Sequence, residues 1–197
     1  MNRPVLQIIV GSTRPGRAGS TVAEWFHGVA VKHDHFATQL VELADIALPL
    51  LDEPHHPRLG RYEHDHTRRW SQIVSAADAY VFAVPEYNHG YNAATKNALD
   101  CLHREWQYKP VGFVSYGGGA GGARAVQGLE PVVATLRMVA STQSVTIPQI
   151  GRLVKPGEPF TPGDRAEQGS FSLLDDLTLL TRLLAPMHRS PTGSGPA

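Results

Sequence analysis

The sequence predicts an α/β protein with a five-stranded parallel sheet in the order 2-1-3-4-5 and helices on both faces. Apolar runs such as VLQIIV, typical of buried strands, alternate along the chain with segments whose apolar residues recur at helical spacing. Strands that alternate with helices favour a parallel sheet. With 197 residues, 42% of them hydrophobic, the chain is long enough for one domain with a substantial core.

The elements follow one another in regular alternation. The predicted strands are 4–10, 36–43, 79–85, 109–116 and 140–147. The predicted helices are 18–33, 67–77, 94–106, 123–139 and 172–188. The polar, Pro/Gly-rich segment 152–169 predicts an unusually long connection before the last helix. We expect a single domain over 1–189 and a disordered tail over 190–197.

Composition excludes several classes of partner. The chain has 18 basic and 18 acidic side chains, so it carries no overall positive field for nucleic acid or an anionic membrane. No apolar run is long enough to span a bilayer. The start, MNRPVLQ, leads almost directly into a strand and indicates no signal peptide. The single cysteine excludes an internal disulfide framework. We therefore expect a cytoplasmic protein.

The segment GSTRPGRAGS (residues 11–20, the first loop) lies between the first strand and the first helix. Unpaired N–H groups and the helix dipole favour an anion at such a position. The motif is not a Walker A loop, because Arg17-Ala18 follow Gly16 where that motif needs Lys and Ser or Thr. An ordinary turn explains the Ser and Gly residues but not both arginines. The loop therefore predicts a phosphomonoester that is held and left uncleaved, with candidate contacts Ser12, Thr13, Arg14, Arg17, Gly19 and Ser20.

Two further loops end at the same edge of the predicted sheet. The second loop (86–92, EYNHGYN) offers a flat tyrosine face and hydrogen-bonding groups, and the third loop (117–122, GGGAGG) offers main-chain N–H groups. A planar heterocycle with a phosphorylated tail would bridge the three loops. The glycines of the third loop match G-x-G-x-x-G, but 137–142 lack the acidic residue of a dinucleotide site, which disfavours that alternative.

Together these segments resemble the NADPH-dependent FMN reductase family, whose fold is a flavodoxin-like three-layer sandwich. The resemblance covers about residues 4–150. It is carried by GSTRPGR, PEYNHGYNAATKNALD and SYGGGAGGARAVQGL, with support from DEPHHP and YEHDHTRRWS. It implies non-covalently bound FMN, with NADPH or NADH as the hydride donor. It also implies a homodimer or homotetramer.

The resemblance implies roles for residues in each loop. Ser12, Arg14, Arg17 and Ser20, with Thr13 and Gly19 as weaker candidates, would hold the phosphate. The isoalloxazine would lie along Pro85, Glu86, Tyr87 and Asn88, mostly against main-chain groups, with Ser115, Tyr116, Gly117 and Gly118 on its other side. No side chain is needed as a catalytic acid for hydride transfer. Asn92 and Thr95 depart from the proline and leucine of many members, and we expect both to flank the exposed flavin face.

The implied reaction is ping-pong. Hydride passes from NAD(P)H to flavin N5, and the electrons then pass to free flavin, a quinone, an azo dye or an oxidised metal ion. The alternatives are an electron-carrier flavodoxin, a flavin-binding redox sensor and a phosphate-binding hydrolase without flavin. Electron-carrier flavodoxins are usually strongly acidic, so the net charge of zero argues against the carrier.

Three other features have simpler explanations. The histidine clusters, HDH at 33–35 and at 64–66 and His55-His56, are interpreted as solvated surface because the first lies at a helix end and the others in a polar connection. A functional metal site is the disfavoured alternative, because no Cys or H-E-x-x-H motif accompanies them. Cys101 is interpreted as a packed, inert thiol. Trp106 and the helix before it are candidates for a subunit contact.

Overall fold

Five parallel strands form one sheet in the order β2-β1-β3-β4-β5, which confirms the predicted order. The strands are Val5–Val10 (β1), Ala37–Glu42 (β2), Ala79–Pro85 (β3), Pro110–Tyr116 (β4) and Val139–Ile147 (β5). The structure, a computed structural model, describes residues 3–189, so the expected tail at 190–197 lies outside the described residues.

Helices connect the strands and cover the sheet. They are Gly19–His33 (α1), Leu43–Ile46 (α2), Asp65–Ser75 (α3), Ala93–Asp100 (α4), Ala123–Thr135 (α5), Ile150–Leu153 (α6) and Asp164–Arg189 (α7). Short 3-10 turns occur at Pro57–Leu59 and Arg104–Trp106. None of the helices within residues 3–189 is both long and apolar enough to cross a membrane.

Strand register brings the carboxyl ends of the strands to one edge of the sheet. Val10 lies opposite Ala83 on one side and Glu42 on the other, and Pro85 lies opposite Tyr116. Because the strands are parallel, the loops that follow β1, β3 and β4 emerge side by side. The fold thus brings together the three loops that the sequence singles out.

The sheet separates two apolar cores. One contains Trp70, Phe82, Trp106 and Phe113 and is covered by α3, α4 and α5. The other contains Ile8, Phe26, Val114, Leu173 and Leu177 and is covered by α1 and α7. Strands buried on both faces explain why β1, β3 and β4 are continuous apolar runs in the sequence.

The helix predicted over 94–106 ends at Asp100. Two indoles fix this end, because Trp70 Nε1 donates to the carbonyl of Ala98 at 2.9 Å and Trp106 Nε1 to that of Leu99 at 3.2 Å. Trp106 is fully buried, so the expectation that it forms a subunit contact is wrong. Its indole N–H bonds to the end of α4, and its ring packs in the apolar core.

Helix α7 begins at Asp164, eight residues before the predicted position. The segment 152–169 is therefore partly helical, because it contains the end of α6 and the start of α7. Ala166 and Ser170 are buried, and the hydroxyl of Ser170 donates to the carbonyl of Ala166 at 2.8 Å. Packing on the sheet stabilises these first turns, although their sequence is mostly polar and includes Gly169.

The histidines whose side chains the structure describes are exposed or half-buried, and the side chain of His33 is nearly enclosed. Its Nε2 lies 2.9 Å from Asp175 Oδ1, and its side chain is only 6% exposed against α7. The expectation of a solvated side chain is wrong at this position. Across residues 3–189, no group of three or more His, Cys, Asp or Glu side chains is arranged to hold a metal ion.

Candidate active site

The first loop leaves the sheet as a continuation of β1. Gly11 N donates to the carbonyl of Ala83 at 2.9 Å, which keeps the chain beside β3 for one more residue. A turn follows, in which Arg17 N donates to the carbonyl of Arg14 at 3.1 Å. Gly16 has a φ of 67°, a left-handed conformation that glycine adopts without strain. The loop therefore folds back over the start of α1.

The first turn of α1 has no capping side chain. Ala18 occupies the N-cap position without a side-chain hydrogen bond, and no acidic residue lies in the first turn. The leading N–H groups of an α-helix have no partners within the helix, and the dipole makes that end positive. The beginning of α1, with Gly19 and the half-buried Ser20, is therefore suited to an anion.

Arg17 lies beside this helix start. Its Nη2 lies 2.8 Å from Glu42 Oε2 at the end of β2, and both side chains are 22% exposed. Its Nε is buried, and among residues 3–189 it has no hydrogen-bond partner. Glu42 thus positions the guanidinium and leaves a donor unused. Thr13 and Arg14 are exposed at the tip of the loop.

Ser12 connects the first loop to the second. Its side chain is buried, and its Oγ lies 2.8 Å from the hydroxyl of Tyr87, which is 41% exposed. Below them lies Tyr116, and a Cβ at Gly19 would be 2.6 Å from its hydroxyl oxygen. Burial, with a contribution from Tyr87, raises the pKa of Tyr116 well above its ordinary value. Tyr116 is therefore a neutral phenol in the floor of the site.

The second loop is a tight turn with strained backbone. Tyr87 and Gly90 exchange main-chain hydrogen bonds of 2.9 and 3.0 Å, and Asn88 and His89 both have positive φ, at 50° and 66°. Two successive left-handed residues are the pattern of a type I′ turn. A histidine in this conformation costs free energy, and such strain is typical of functional loops.

Glu86 faces away from the mouth of the site. Its Oε1 pairs with Arg124 Nη1 at 2.6 Å, and its Oε2 accepts from the main-chain N–H of Arg124 at 3.2 Å. Desolvation works to raise the pKa of Glu86, but the hydrogen bonds and charge of Arg124 outweigh it and lower the pKa. Glu86 therefore caps α5 as a carboxylate, and only its main chain is available to a ligand.

The third loop is held by its neighbours through main-chain bonds. Gly117 N donates to the carbonyl of Ile147 at 3.2 Å, and the carbonyl of Gly118 accepts from Gln149 N at 2.9 Å. The space beside Gly118 is open, since a Cβ there would meet no atom within 4 Å. The Ser115 hydroxyl is fully buried and donates to the carbonyl of Gly121 at 2.9 Å. Ser115 thus shapes the loop from beneath.

Asn92 and Thr95 do not flank an exposed face. Asn92 is 6% exposed and Thr95 is fully buried. Asn92 Nδ2 donates to the carbonyl of Gly11 at 2.6 Å, and Thr95 Oγ1 donates to Asn92 Oδ1 at 2.8 Å. The expectation that both line the open side is wrong, because their hydrogen-bonding groups are turned toward the first loop. They join the start of α4 to the end of β1.

Comparison with known proteins decides the family. The model of the family described as NADPH-dependent FMN reductase matches residues 5–151. The chain belongs to this family.

Individual relatives agree. An NAD(P)H-dependent FMN reductase of Schizosaccharomyces pombe is 39% identical over 165 residues, covering 80% of this chain and 82% of that protein. An NADPH:quinone oxidoreductase of Arabidopsis thaliana is 46% identical over 57 residues, covering 27% of this chain and 29% of that protein. Among solved structures, a flavoenzyme NAD(P)H:(acceptor) oxidoreductase from Paracoccus denitrificans matches with a TM-score of 0.71 at 18% identity. That match covers 91% of this chain and 98% of the other, and it supports the flavodoxin-like fold.

The residues of this FMN reductase fit the cofactor of its family. The uncapped start of α1 and the unpaired Nε of Arg17 suit the two negative charges of a phosphate monoester. The open space beside Gly118 and Gly119 admits a flat ring close to main-chain atoms. Neither feature is explained by packing within the described chain, whereas FMN, with a phosphate at one end and a planar ring at the other, accounts for both.

Four residues of this FMN reductase site were not predicted to have the roles that the structure gives them. They are Glu42, Asn92, Thr95 and Arg124. Glu42 ends β2 at the same edge as the first loop, and Arg124 follows the third loop by two residues, so strand and helix boundaries could have indicated both. The orientations of Asn92 and Thr95 depend on how α4 packs on β1, which no local pattern reveals.

Proposed function

We propose that this FMN reductase holds FMN non-covalently across its three loops, takes hydride from NADPH or NADH, and passes the electrons to a small acceptor in the same open site. The observation that carries the proposal is the pairing of an uncapped helix start with a buried, unpaired arginine donor next to it. Both are unsatisfied in the described chain, and both suit the same anionic group.

The first loop would bind the phosphate. Ser12 and Ser20 offer hydroxyl groups, the start of α1 offers N–H groups, and Arg14 and Arg17 offer charge. Hydrogen bonds to charged groups contribute roughly 1.5–3 kcal/mol each, so two or three of them account for strong retention of the cofactor. Glu42 keeps the Arg17 guanidinium at the loop and leaves its Nε–H without a partner within residues 3–189.

The second and third loops would position the ring. Pro85 to Asn88 form one wall through their main chain, and the exposed Tyr87 offers an aromatic face. Tyr116, Gly117 and Gly118 form the other wall. When bound, FMN supplies the hydride acceptance and the onward electron transfer. Main-chain donors of the third loop would stabilise negative charge on the ring, which requires no acidic side chain.

The proposal is tested by a visible spectrum of the FMN-loaded protein before and after anaerobic addition of NADPH, then NADH. We expect the flavin absorbance to bleach, and a quinone added next to restore it. Bleaching without reoxidation by any of several acceptors would contradict the ping-pong cycle. An unchanged spectrum with both nucleotides would favour a carrier or a sensor. Failure to take up FMN at all would contradict the assignment of the site.

Two further expectations remain predictions. The resemblance implies a homodimer or homotetramer, which light scattering of the purified protein tests. A cytoplasmic location was inferred from the sequence, and cell fractionation tests it.

A further inference from the structure

An apolar cavity of about 390 Å³ adjoins the first loop. It lies between that loop, α2 and the start of α4. Its size falls within the range of small-molecule pockets in proteins. The lining residues are Thr13, Leu43, Ala44, Ala47, Leu48, Leu50, Ala93, Ala94 and Asn97.

The lining determines what the cavity can accept. None of the nine lining residues carries a charge, and seven are alanine or leucine. The amide of Asn97 is already engaged, because its Nδ2 donates to the carbonyl of Pro49 at 2.7 Å and its Oδ1 accepts from Leu51 N at 2.9 Å. Among the lining side chains, only the Thr13 hydroxyl remains to offer a polar contact.

The cavity has a fixed wall and an open mouth. The two hydrogen bonds to Asn97 hold residues 49–51 against α4. Leu50 is 78% exposed at this wall, so its side chain is accessible to an apolar group. Burial of apolar groups against such a surface is favourable because it removes them from water. The wall thus offers contact area to an apolar group that enters from solvent.

The cavity adjoins the proposed FMN site at the first loop and at the start of α4. Thr13 belongs to the first loop, and Ala93 and Ala94 directly follow Asn92, whose side chain bonds to Gly11. A molecule whose reactive ring lies at the second loop could therefore extend a substituent into the cavity.

We propose that this cavity binds the apolar substituent of the electron acceptor, so that the protein selects acceptors with an alkyl or aryl extension over the bare reactive ring. This rests on the proposed function. The ring is reduced at the flavin, and the extension supplies binding energy at a separate place. The substrate class is thus an apolar, uncharged acceptor such as an alkyl-substituted quinone.

The test compares a dimethoxy-methyl-benzoquinone with its decyl derivative as acceptors for the FMN-loaded protein. We expect kcat/KM to be larger for the decyl compound by about tenfold or more, the gain expected from burying two or more methylene groups. Ala44→Phe fills the cavity, and Leu50→Asp places a charge at its mouth. Each substitution should reduce the ratio of kcat/KM for the decyl quinone to kcat/KM for the bare quinone toward one. Each should leave kcat/KM for the bare quinone itself unchanged.

Leu59→Asp is the matched control, because Leu59 is a half-exposed leucine of the same connection that does not line the cavity. It should retain the wild-type ratio. Since Leu50 is exposed, Leu50→Asp tests the proposal even if Ala44→Phe fails to fold. A wild-type ratio near one, or variants that keep the wild-type ratio, would overturn the proposal.

A binding measurement separates this inference from the proposed function. Quenching of tryptophan fluorescence reports binding of each quinone without turnover. Tighter binding of the decyl compound that is lost in Ala44→Phe supports the cavity even if NAD(P)H oxidation fails. Light scattering of each variant tests whether a second copy of the chain occupies the cavity instead of the acceptor. If Leu50→Asp dissociates an oligomer and leaves the alkyl preference intact, the cavity belongs to a subunit contact and the proposal is wrong.

Discussion

The side-chain amide of Asn92 donates a hydrogen bond of 2.6 Å to the carbonyl oxygen of Gly11. This bond joins the residue that directly precedes α4 to the first residue of the first loop, 81 positions away in the sequence. Thr95 completes the arrangement by donating to the Asn92 amide oxygen. The two loops proposed to hold opposite ends of the cofactor are therefore fixed to each other before any ligand binds.

Asn92→Ala should loosen this junction. It leaves the Gly11 carbonyl and the Thr95 hydroxyl buried without their partner, which typically costs about 1–3 kcal/mol in the free energy of unfolding. FMN affinity should fall too, since the first loop loses its fixed position. Denaturant unfolding and FMN titration measure the two effects. Asn97→Ala is the control, because the Asn97 amide also makes two hydrogen bonds, to Pro49 and Leu51, but none to the first loop. Equal FMN affinity in wild type and Asn92→Ala would contradict this role.

Gly11→Ala should be destabilising for a steric reason. A Cβ at this position overlaps Thr95 Oγ1 and comes within 3.2 Å of the Ala83 carbonyl. Overpacking of this kind costs typically about 1–3 kcal/mol. In a Thr95→Ala background the same change should cost less, so the two substitutions are non-additive. Gly118→Ala, where the space is open, should leave stability within about 0.5 kcal/mol of wild type. Strict additivity of Gly11→Ala and Thr95→Ala would be inconsistent with the contact.

The double substitution Ser12→Ala with Arg14→Ala should weaken FMN binding and leave the fold intact. Arg14 is exposed, and removal of the Ser12 hydroxyl affects its contacts with the hydroxyl groups of Tyr87 and Tyr116 without removing an apolar side chain from the core. Loss of one charged and one neutral hydrogen bond predicts an affinity at least about tenfold lower. Arg69→Ala, which removes an exposed arginine on α3, serves as the control. Unchanged affinity by titration would show that the phosphate lies elsewhere.

Cys101 should be unreactive in the folded protein. Burial raises the pKa of its thiol to about 12, and the carboxylates of Asp100, Asp52 and Glu53 add to the effect. At pH 8 the thiolate fraction is therefore only about one in ten thousand. A chromogenic disulfide reagent should label native protein very slowly and unfolded protein at once. Fast labelling without unfolding would mean that the thiol is accessible as thiolate.

Lys109 should make stability depend on pH in the alkaline range. The lysine is 6% exposed, its ammonium donates to the carbonyls of Val74 and Ser75, and burial lowers its pKa from 10.5 to about 8. Between pH 8 and 10.5 the unfolded chain therefore binds a proton that the folded chain does not. Stability then rises with pH over this window, and below pH 8 the cost of burying the charge is fully present.

The comparison of wild type with Lys109→Met isolates this contribution. From pH 7 to pH 9.5 the free energy of unfolding of wild type should rise relative to the variant by about 2 kcal/mol. Measurements stay below pH 10 because Tyr80, whose hydroxyl lies 3.1 Å from Lys109 Nζ, is also buried with a raised pKa. If the difference in the free energy of unfolding between wild type and Lys109→Met stays constant or falls over this pH range, the lowered pKa of Lys109 is contradicted.

Local pattern was sufficient for the sheet and for the position of the site. The apolar runs of β1, β3 and β4 are continuous because both faces of these strands are buried, so their bounds could be predicted within one residue. Loops that follow parallel strands emerge at one edge of the sheet, so the sequence alone predicts that the first, second and third loops lie together. Helix ends were less predictable. The end of α4 depends on two distant indoles, and the start of α7 depends on packing against the sheet.

The sequence by itself determined the order of the elements, the chemistry of the three loops and the family, because residue type and strand periodicity are local properties. Tertiary structure decided which way the polar side chains face. Arg17 pairs with Glu42, Glu86 with Arg124, and Asn92 with Gly11 across 25, 38 and 81 positions. Each of these partners lies on a different element, so its identity is set by how the elements pack. The same packing buries Asn92 and Thr95 and forms the apolar cavity beside the first loop.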